Sequence, residues 1–354
     1  MSETMLDVDA VLAEPLVPAR EAGRAIGYVG PDIPEDLLAV PGYAALHLPW
    51  RRPAKTPWAD VWLEDAFPGW ARTILEDWAA GRFDFLEAVI FSRGDDAAQR
   101  LYYYVCELQR QQQIGGPTPL VFDVARIPRA SSVEWTARAV GLLAAELGLS
   151  DTDLVAGIAV ANKRRESLRE LDSDAALPGR YRERIARASL FVGTERLALD
   201  RVPRLADRTH FRGMVLLAGS APPDDGLHLA VEAAGWTVAA DVHPRNLARL
   251  GPPIEDGDEP PARRIARHVH EHSPGPRGFR DRGAAIVRVA RELGVDAVVL
   301  WLFEEDEAFA WDVVGARRQL EQAGIPSLIL ARRRWDLSDA PGEDIARFLA
   351  ELKP

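Results

Sequence analysis

The sequence predicts an α/β protein made of two Rossmann-like lobes, each with a doubly wound parallel sheet, joined by a helical segment. Apolar runs of strand length alternate with amphipathic helical stretches in the first part of the chain and again in the last part. Several of these runs end in glycine or in a short polar turn that leads directly into a helix. Between the two parts, residues 131 to about 195 have a helical pattern only.

Four segments follow from this pattern. The predicted boundaries are an N-terminal tail (1–22), a first α/β lobe (23–130), connecting helices packed on the first lobe (131–205) and a second α/β lobe (206–354). The predicted strands are 24–30, 42–48, 85–91, 119–123, 214–219, 236–240, 296–302 and 326–330.

Composition and charge exclude several classes of protein. The net charge of −11 argues against a nucleic-acid binder, which needs a basic face. No apolar run approaches the ~20 residues of a membrane span, and the first twenty residues lack the pattern of a signal peptide. The single cysteine, Cys106, excludes an intrachain disulfide framework and a site made only of cysteines from this chain. We expect a cytoplasmic protein.

The turns after the predicted strands are the first place to look for a site, because open α/β sheets bind ligands at the carboxyl ends of their strands. The candidates for ligand binding are Gly30, Ser92, Arg93, Gly219, Ser220 and Asp241. Gly219 and Ser220 could cradle a phosphate, but no complete G-x-G-x-x-G or Walker A pattern is present, so an ordinary tight turn competes with that interpretation.

Acidic and histidine side chains form a second group of candidates. The residues with metal-ligating side chains are Asp95, Glu304, Glu305, Asp306, His268 and His272. The carboxylates also suit helix capping and compensation of the helix dipole, and the histidines suit a helix C-terminus. Metal binding is therefore the alternative to a structural role, and no metal is expected.

Several stretches, taken together and in order, resemble the D-component family of 2-hydroxyacyl-CoA dehydratases, which also includes benzoyl-CoA reductase subunits. In the first lobe these stretches are residues 33–42 (IPEDLLAVPG), 67–75 (FPGWARTIL) and 95–102 (DDAAQRLY). In the second lobe they are 216–220 (LLAGS), 235–241 (GWTVAAD), 294–299 (GVDAVV) and 324–326 (GIP).

The resemblance implies an iron–sulfur cluster held by three cysteines between the lobes, next to a pocket for a CoA thioester. The equivalent positions here are Pro68, Asp95 and Glu304 or a neighbour up to Asp306, and none is cysteine. Because cluster ligation needs soft thiolates, an iron–sulfur cluster is not expected. The family's one-electron reduction of the thioester is therefore not carried over, although the CoA-thioester pocket can remain.

Three functional hypotheses remain, and whether the chain is an enzyme stays open. The first is an acyl-CoA-binding subunit without its own cluster, acting as a homodimer or as a heterodimer with a related subunit. The second is a non-redox enzyme whose acidic residues, with His243 or His268 nearby, hold a hard divalent metal between the lobes. The third is a structural or regulatory protein that serves as a dimerising body.

Overall fold

The computed structural model describes residues 5–52, 55–205, 211–273 and 280–352. Its strands form two parallel four-stranded sheets, and each predicted strand is confirmed within two or three residues at either end. The strands are β1 (Ala25–Val29), β2 (Ala44–His47), β3 (Ala88–Ser92), β4 (Thr118–Phe122), β5 (Met214–Gly219), β6 (Thr237–Asp241), β7 (Ala297–Phe303) and β8 (Ser327–Arg333).

Helices connect the strands. They are α1 (Val8–Ala13), α2 (Val17–Glu21), α3 (Glu35–Leu38), α4 (Pro57–Trp62), α5 (Gly69–Ala79), α6 (Asp96–Arg110), α7 (Ala130–Glu146), α8 (Asp151–Ser173), α9 (Gly179–Ala188), α10 (Gly226–Ala233), α11 (Pro261–His272), α12 (Arg282–Leu293), α13 (Glu307–Gln322) and α14 (Pro341–Glu351). Among the described residues, none of these helices has the length and apolar character needed to cross a membrane.

The two sheets have the same topology. The strand order is β2-β1-β3-β4 in the first and β6-β5-β7-β8 in the second. In both sheets, the second strand along the chain lies on one side of the first strand and the third strand lies on its other side. This reversal is the doubly wound arrangement. The predicted α/β class with two Rossmann-like lobes is confirmed.

The central strands of each sheet, which are β1 and β3 in the first and β5 and β7 in the second, are buried on both faces, as expected for parallel sheets covered by helices. In the second sheet, Val215 and Leu217 point into one core with α10 and α14, while Leu216 and Ala218 point into the other with α12 and α13. The alternation of side chains along a strand explains why near-continuous apolar runs predicted these strands correctly.

The chain divides into two compact units. Unit 1 comprises residues 1–170, 187–200 and 248–278, and unit 2 comprises residues 171–186, 201–247 and 279–354. This division differs from the predicted boundaries, one of which falls beside residues 206–210, outside the described residues. Helix α11 lies late in the chain yet belongs to unit 1, because its Ile265 and Val269 share a core with Val140 and Leu143 of α7.

The segment predicted as a tail is part of unit 1. It contains α1 and α2, and Val11, Leu16 and Ala19 are buried. Leu6 also forms a β-bridge with Leu197. The sequence pattern did not indicate these helices, because apolar positions in two helices this short give little periodic signal.

Candidate functional site

Gly30 and Ser92 lie side by side at the switch point of the first sheet, where β1 meets β3. Gly30 has φ +99°, and a Cβ atom there would lie 2.5 Å from the Cβ of Ser92. Ser92 is buried, and its hydroxyl oxygen accepts a hydrogen bond of 3.1 Å from the N–H of Gly94. Only glycine fits at position 30, because it avoids both the backbone strain and the steric clash.

A buried ion pair closes the space beside this turn. Asp32 is 2% exposed, and its carboxylate lies 2.7 Å from Nη2 of Arg126. The guanidinium lies against Gly94 so closely that a Cβ atom there would be 1.3 Å from Nη2. The hydroxyl of Ser273 also donates to Asp32. The side chains of Asp32, Arg126 and Ser273 therefore bind one another and fill the space next to Gly94.

Arg93 is the exposed cation at this edge of the sheet. Its Nη1 lies 2.9 Å from Oδ2 of Asp123, and half of the Arg93 side chain is exposed. An ion pair this exposed contributes little to stability, so the guanidinium can exchange its partner for an anionic ligand at low cost. Asp95 instead caps α6, since its carboxylate accepts a 2.8 Å hydrogen bond from the N–H of Ala98.

The three positions that the sequence resemblance aligns with cluster ligands share one setting, since each lies where a turn leads to a helix. Pro68 and Asp95 are the N-cap residues of α5 and α6. Glu304 follows β7, and its carboxylate lies 3.0 Å from Nη2 of the exposed Arg332. Cys106 lies in α6, eleven residues beyond Asp95, which corresponds to about 16 Å along the helix axis.

Cys106 is in a setting that disfavours its thiolate. It is partly buried beside Tyr102, and desolvation by burial raises the pKa of its thiol, against a smaller opposing effect of the hydrogen bond with Tyr102. A raised pKa leaves little thiolate at neutral pH, and thiolate is the form that binds metals. Cys106 is therefore a packed thiol and not a favourable metal ligand.

Gly219 repeats the arrangement of Gly30 in the second sheet, where β5 meets β7. Its φ is +110°, and a Cβ atom there would lie 2.1 Å from the carbonyl oxygen of Trp301. The hydroxyl of Ser220 donates to Oδ2 of Asp306 at 2.5 Å. Asp306 also caps α13 by accepting from the N–H of Phe309. This hydrogen bond connects Ser220, which follows β5, to the N-terminus of α13.

The loop after Ser220 does not have the chemistry of a phosphate cradle. Residues 221–225 are Ala-Pro-Pro-Asp-Asp, and α10 begins only at Gly226. The two prolines have no N–H to donate, and the two carboxylates repel an anion. Of the two interpretations of Gly219 and Ser220, the structure favours the tight turn.

Asp241, at the end of β6, lies between two buried histidines. Its carboxylate oxygens are 3.5 Å from Nε2 of His228 and 3.2 Å from Nε2 of His243. Burial alone would raise the pKa of Asp241, but the adjacent His243 and His228 lower it below the ordinary value. Burial lowers the pKa of His243 to about 4, although the charge of Asp241 opposes this shift.

His228 was not among the sequence-predicted candidates. It lies on the buried face of α10 with Leu227 and Val231, and a histidine on an apolar face indicates a buried polar partner. The sequence does not show which partner, because α10 and the end of β6 meet only in the fold. The Nδ1 of His243 accepts a hydrogen bond from the N–H of Arg245, so the hydrogen of the neutral ring is on Nε2, which lies 3.2 Å from Oδ1 of Asp241.

His268 and His272 lie four residues apart on one face of α11, with ring centroids 4.9 Å apart. Nε2 of His268 lies 2.7 Å from the carbonyl oxygen of Pro252, so this nitrogen donates and is not free to bind a metal. Burial lowers the pKa of His268 to about 4. Within the described residues, no group of three or more His, Cys, Asp and Glu side chains is arranged to hold a metal ion.

The fold and these strand-end sites define an α/β protein with two doubly wound sheets, each with a glycine at its switch point. The model of the family 2-hydroxyglutaryl-CoA dehydratase, D-component, matches residues 32–345, and the chain therefore belongs to this family. The resemblance found in the sequence is confirmed. The search of curated proteins finds no match.

Proposed function

We propose that this chain is an acyl-CoA-binding member of the dehydratase D-component family that has no cysteine-ligated iron–sulfur cluster of its own. The observation that carries the proposal is a family match over residues 32–345 in a chain with one cysteine. The donor set does not fit a cluster, because three thiolates are required and the single thiol lies well along α6 from the turn at Asp95. An electron-transfer step would need a cluster-bearing partner.

The proposed contact with the CoA thioester is made by Arg93. CoA carries phosphates, and an exposed guanidinium at the carboxyl edge of the first sheet can form charge-assisted hydrogen bonds with them. Asp32 and Arg126 have a different role in this proposal, since their ion pair holds the turn in place beside Gly94. The divalent-metal alternative finds no supporting observation among the described side chains.

Thermal unfolding with and without a CoA thioester tests the binding. We expect the ligand to raise the Tm of the wild type, since a ligand that binds only the folded state stabilises it. The Arg93→Ala variant should bind about tenfold more weakly, which corresponds to one charge-assisted hydrogen bond of about 1.4 kcal/mol.

Arg24 provides a matched control. It is also an exposed arginine in an ion pair, with Glu87 at 2.8 Å, but it precedes β1 and so lies at the opposite edge of the same sheet. The Arg24→Ala variant should keep wild-type affinity. Equal loss of affinity in both variants, or no Tm shift in the wild type, would contradict the proposed contact.

Anaerobic reconstitution with iron and sulfide tests the second part of the proposal. The expected product has no visible sulfide-to-iron absorption and far less than one cluster per chain. A stoichiometric iron–sulfur cluster that resists gel filtration would show that this chain holds a cluster through other ligands, and it would contradict the proposal that electron transfer needs a cluster-bearing partner.

A further inference from the structure

Helix α13 of unit 2 has one face that is exposed and apolar at its centre. Trp311 is 86% exposed and Val314 is 67% exposed. Gly315 adjoins them on the same face, and a Cβ atom added there would meet nothing within 4 Å. The opposite face, with Phe309, Ala316 and Leu320, is buried against the sheet and α12. Helix α13 therefore has apolar side chains on two faces, and only the inner face is buried in unit 2.

An exposed tryptophan at the centre of such a face points to a protein partner. Tryptophan is enriched in the centres of interfaces and is frequent among the residues that dominate binding energy. Here the indole adjoins a glycine, and small residues let two helices approach closely. The charges around Trp311 then determine which partner helix fits this face.

The charges on this face are arranged to pair with a second copy of the same helix. Glu307 lies four residues before Trp311, and Arg318 lies four residues after Val314. All four side chains are exposed. On a helix with 3.6 residues per turn, their positions around the helix axis fall within an arc of about 60°. When two copies pack antiparallel, Trp311 of each meets Val314 and Gly315 of the other. The same two-fold axis brings Glu307 to Arg318.

A groove beside α13 extends the complementarity. It has a volume of about 540 Å³ between α12 and α13, and its charged lining residues are Arg288, Arg291 and Glu292. In the antiparallel arrangement, the acidic start of α13 in the second copy, residues 304–307, approaches this end of the helix. The two arginines outnumber the glutamate, so the acidic segment meets a groove of net positive charge once on each side of the axis, as in a self-complementary two-fold interface.

We propose that α13 is the two-fold interface of a homodimer, in which Trp311 of each copy packs on Val314 and Gly315 of the other and Glu307 pairs with Arg318. This inference depends on α12 and α13 of unit 2 only, and it stands or falls independently of CoA binding. The proposed partner is a second copy of this chain, because the same face of α13 carries both Glu307 and Arg318.

Sedimentation velocity or light scattering over a wide dilution series of the purified full-length chain tests the proposal. The wild type should be a dimer that dissociates on dilution. Trp311→Ala should raise the dimer Kd at least tenfold, as is typical of a central tryptophan. Trp135→Ala is the matched control, because Trp135 is also more than half exposed but lies on α7 of unit 1; its Kd should equal that of the wild type.

Charge reversal distinguishes the proposed pairing of the two helices from nonspecific hydrophobic association. Glu307→Arg and Arg318→Glu should each weaken the dimer, and the double reversal should restore it, with circular dichroism confirming that each variant is folded. A monomeric wild type overturns the proposal, as does a dimer that the Trp311→Ala variant leaves unchanged. Failure of the double reversal to restore the dimer also overturns it. A chain that assembles only with a co-expressed relative would assign the partner to a related subunit instead.

Discussion

The buried His243 makes unit 2 sensitive to acid. In the folded unit its pKa is lowered to about 4, chiefly by burial, while Asp241 raises it and the neighbouring Arg245 and His228 lower it further. In the unfolded chain a histidine titrates near pH 6.5. Between these two values the unfolded state binds more protons than the folded state, so the free energy of unfolding decreases as the pH falls from about 6.5 to about 4.

The expected loss follows from the size of the shift. At about 1.4 kcal/mol per pKa unit, the full shift corresponds to about 3 kcal/mol, of which about 2 kcal/mol is lost between about pH 7.5 and about pH 5. The perturbation is His243→Asn, because the asparagine carbonyl can replace Nδ1 as acceptor for the N–H of Arg245 without titrating.

The assay is urea unfolding at both pH values, followed by circular dichroism and by tryptophan fluorescence, to which Trp236 and Trp301 in the core of unit 2 contribute. Groups that do not contact position 243 titrate alike in both proteins, so the difference between wild type and variant reports His243 together with its interaction with Asp241. The variant should lose about 2 kcal/mol less than the wild type on acidification. An identical loss in both proteins would refute the assignment of a neutral, buried His243.

Two further predictions concern the packing that positions the sites. Arg165→Met should destabilise unit 1 by about 3–5 kcal/mol in denaturant unfolding, because it leaves the fully buried Asp36 without its cation. In the wild type, Arg165 donates two hydrogen bonds of 2.7 and 2.8 Å to this carboxylate. The Asp36→Leu/Arg165→Met double variant should recover part of the lost stability, whereas an additive loss would contradict the prediction. Gly219→Ala should cost unit 2 at least about 1–3 kcal/mol, because alanine is strained at φ +110° and its Cβ would clash with the carbonyl oxygen of Trp301. A Tm equal to that of the wild type would contradict this prediction. Gly141→Ala in α7 is the control, because a Cβ atom there would meet nothing within 4 Å.

The sequence was sufficient to predict the strands and the turns that follow them. Apolar runs in parallel sheets are nearly continuous, and both Gly30 and Gly219 fell at switch points because the chain reverses its strand order after them. The capping roles of Asp95 and Asp306 were also among the predicted alternatives, since capping depends on local sequence.

Pairings between distant segments could not be predicted. The Arg126–Asp32 pair beside Gly94 joins residues 94 positions apart, and nothing in the local pattern of either predicts the other. His228 meets Asp241 for the same kind of reason, because a helix face and a strand end come together only through the topology. The assignment of residues 248–278 to unit 1 likewise depends on packing between α7 and α11, which periodicity does not specify.

The most direct test of the proposed function is calorimetric titration of the iron-free protein with a 2-hydroxyacyl-CoA. The proposal predicts saturable binding at one site per chain, retained by Arg24→Ala and weakened about tenfold by Arg93→Ala. No binding heat in the wild type at two temperatures, with ligand up to about 1 mM, where even a Kd of about 1 mM gives half-saturation, would contradict it.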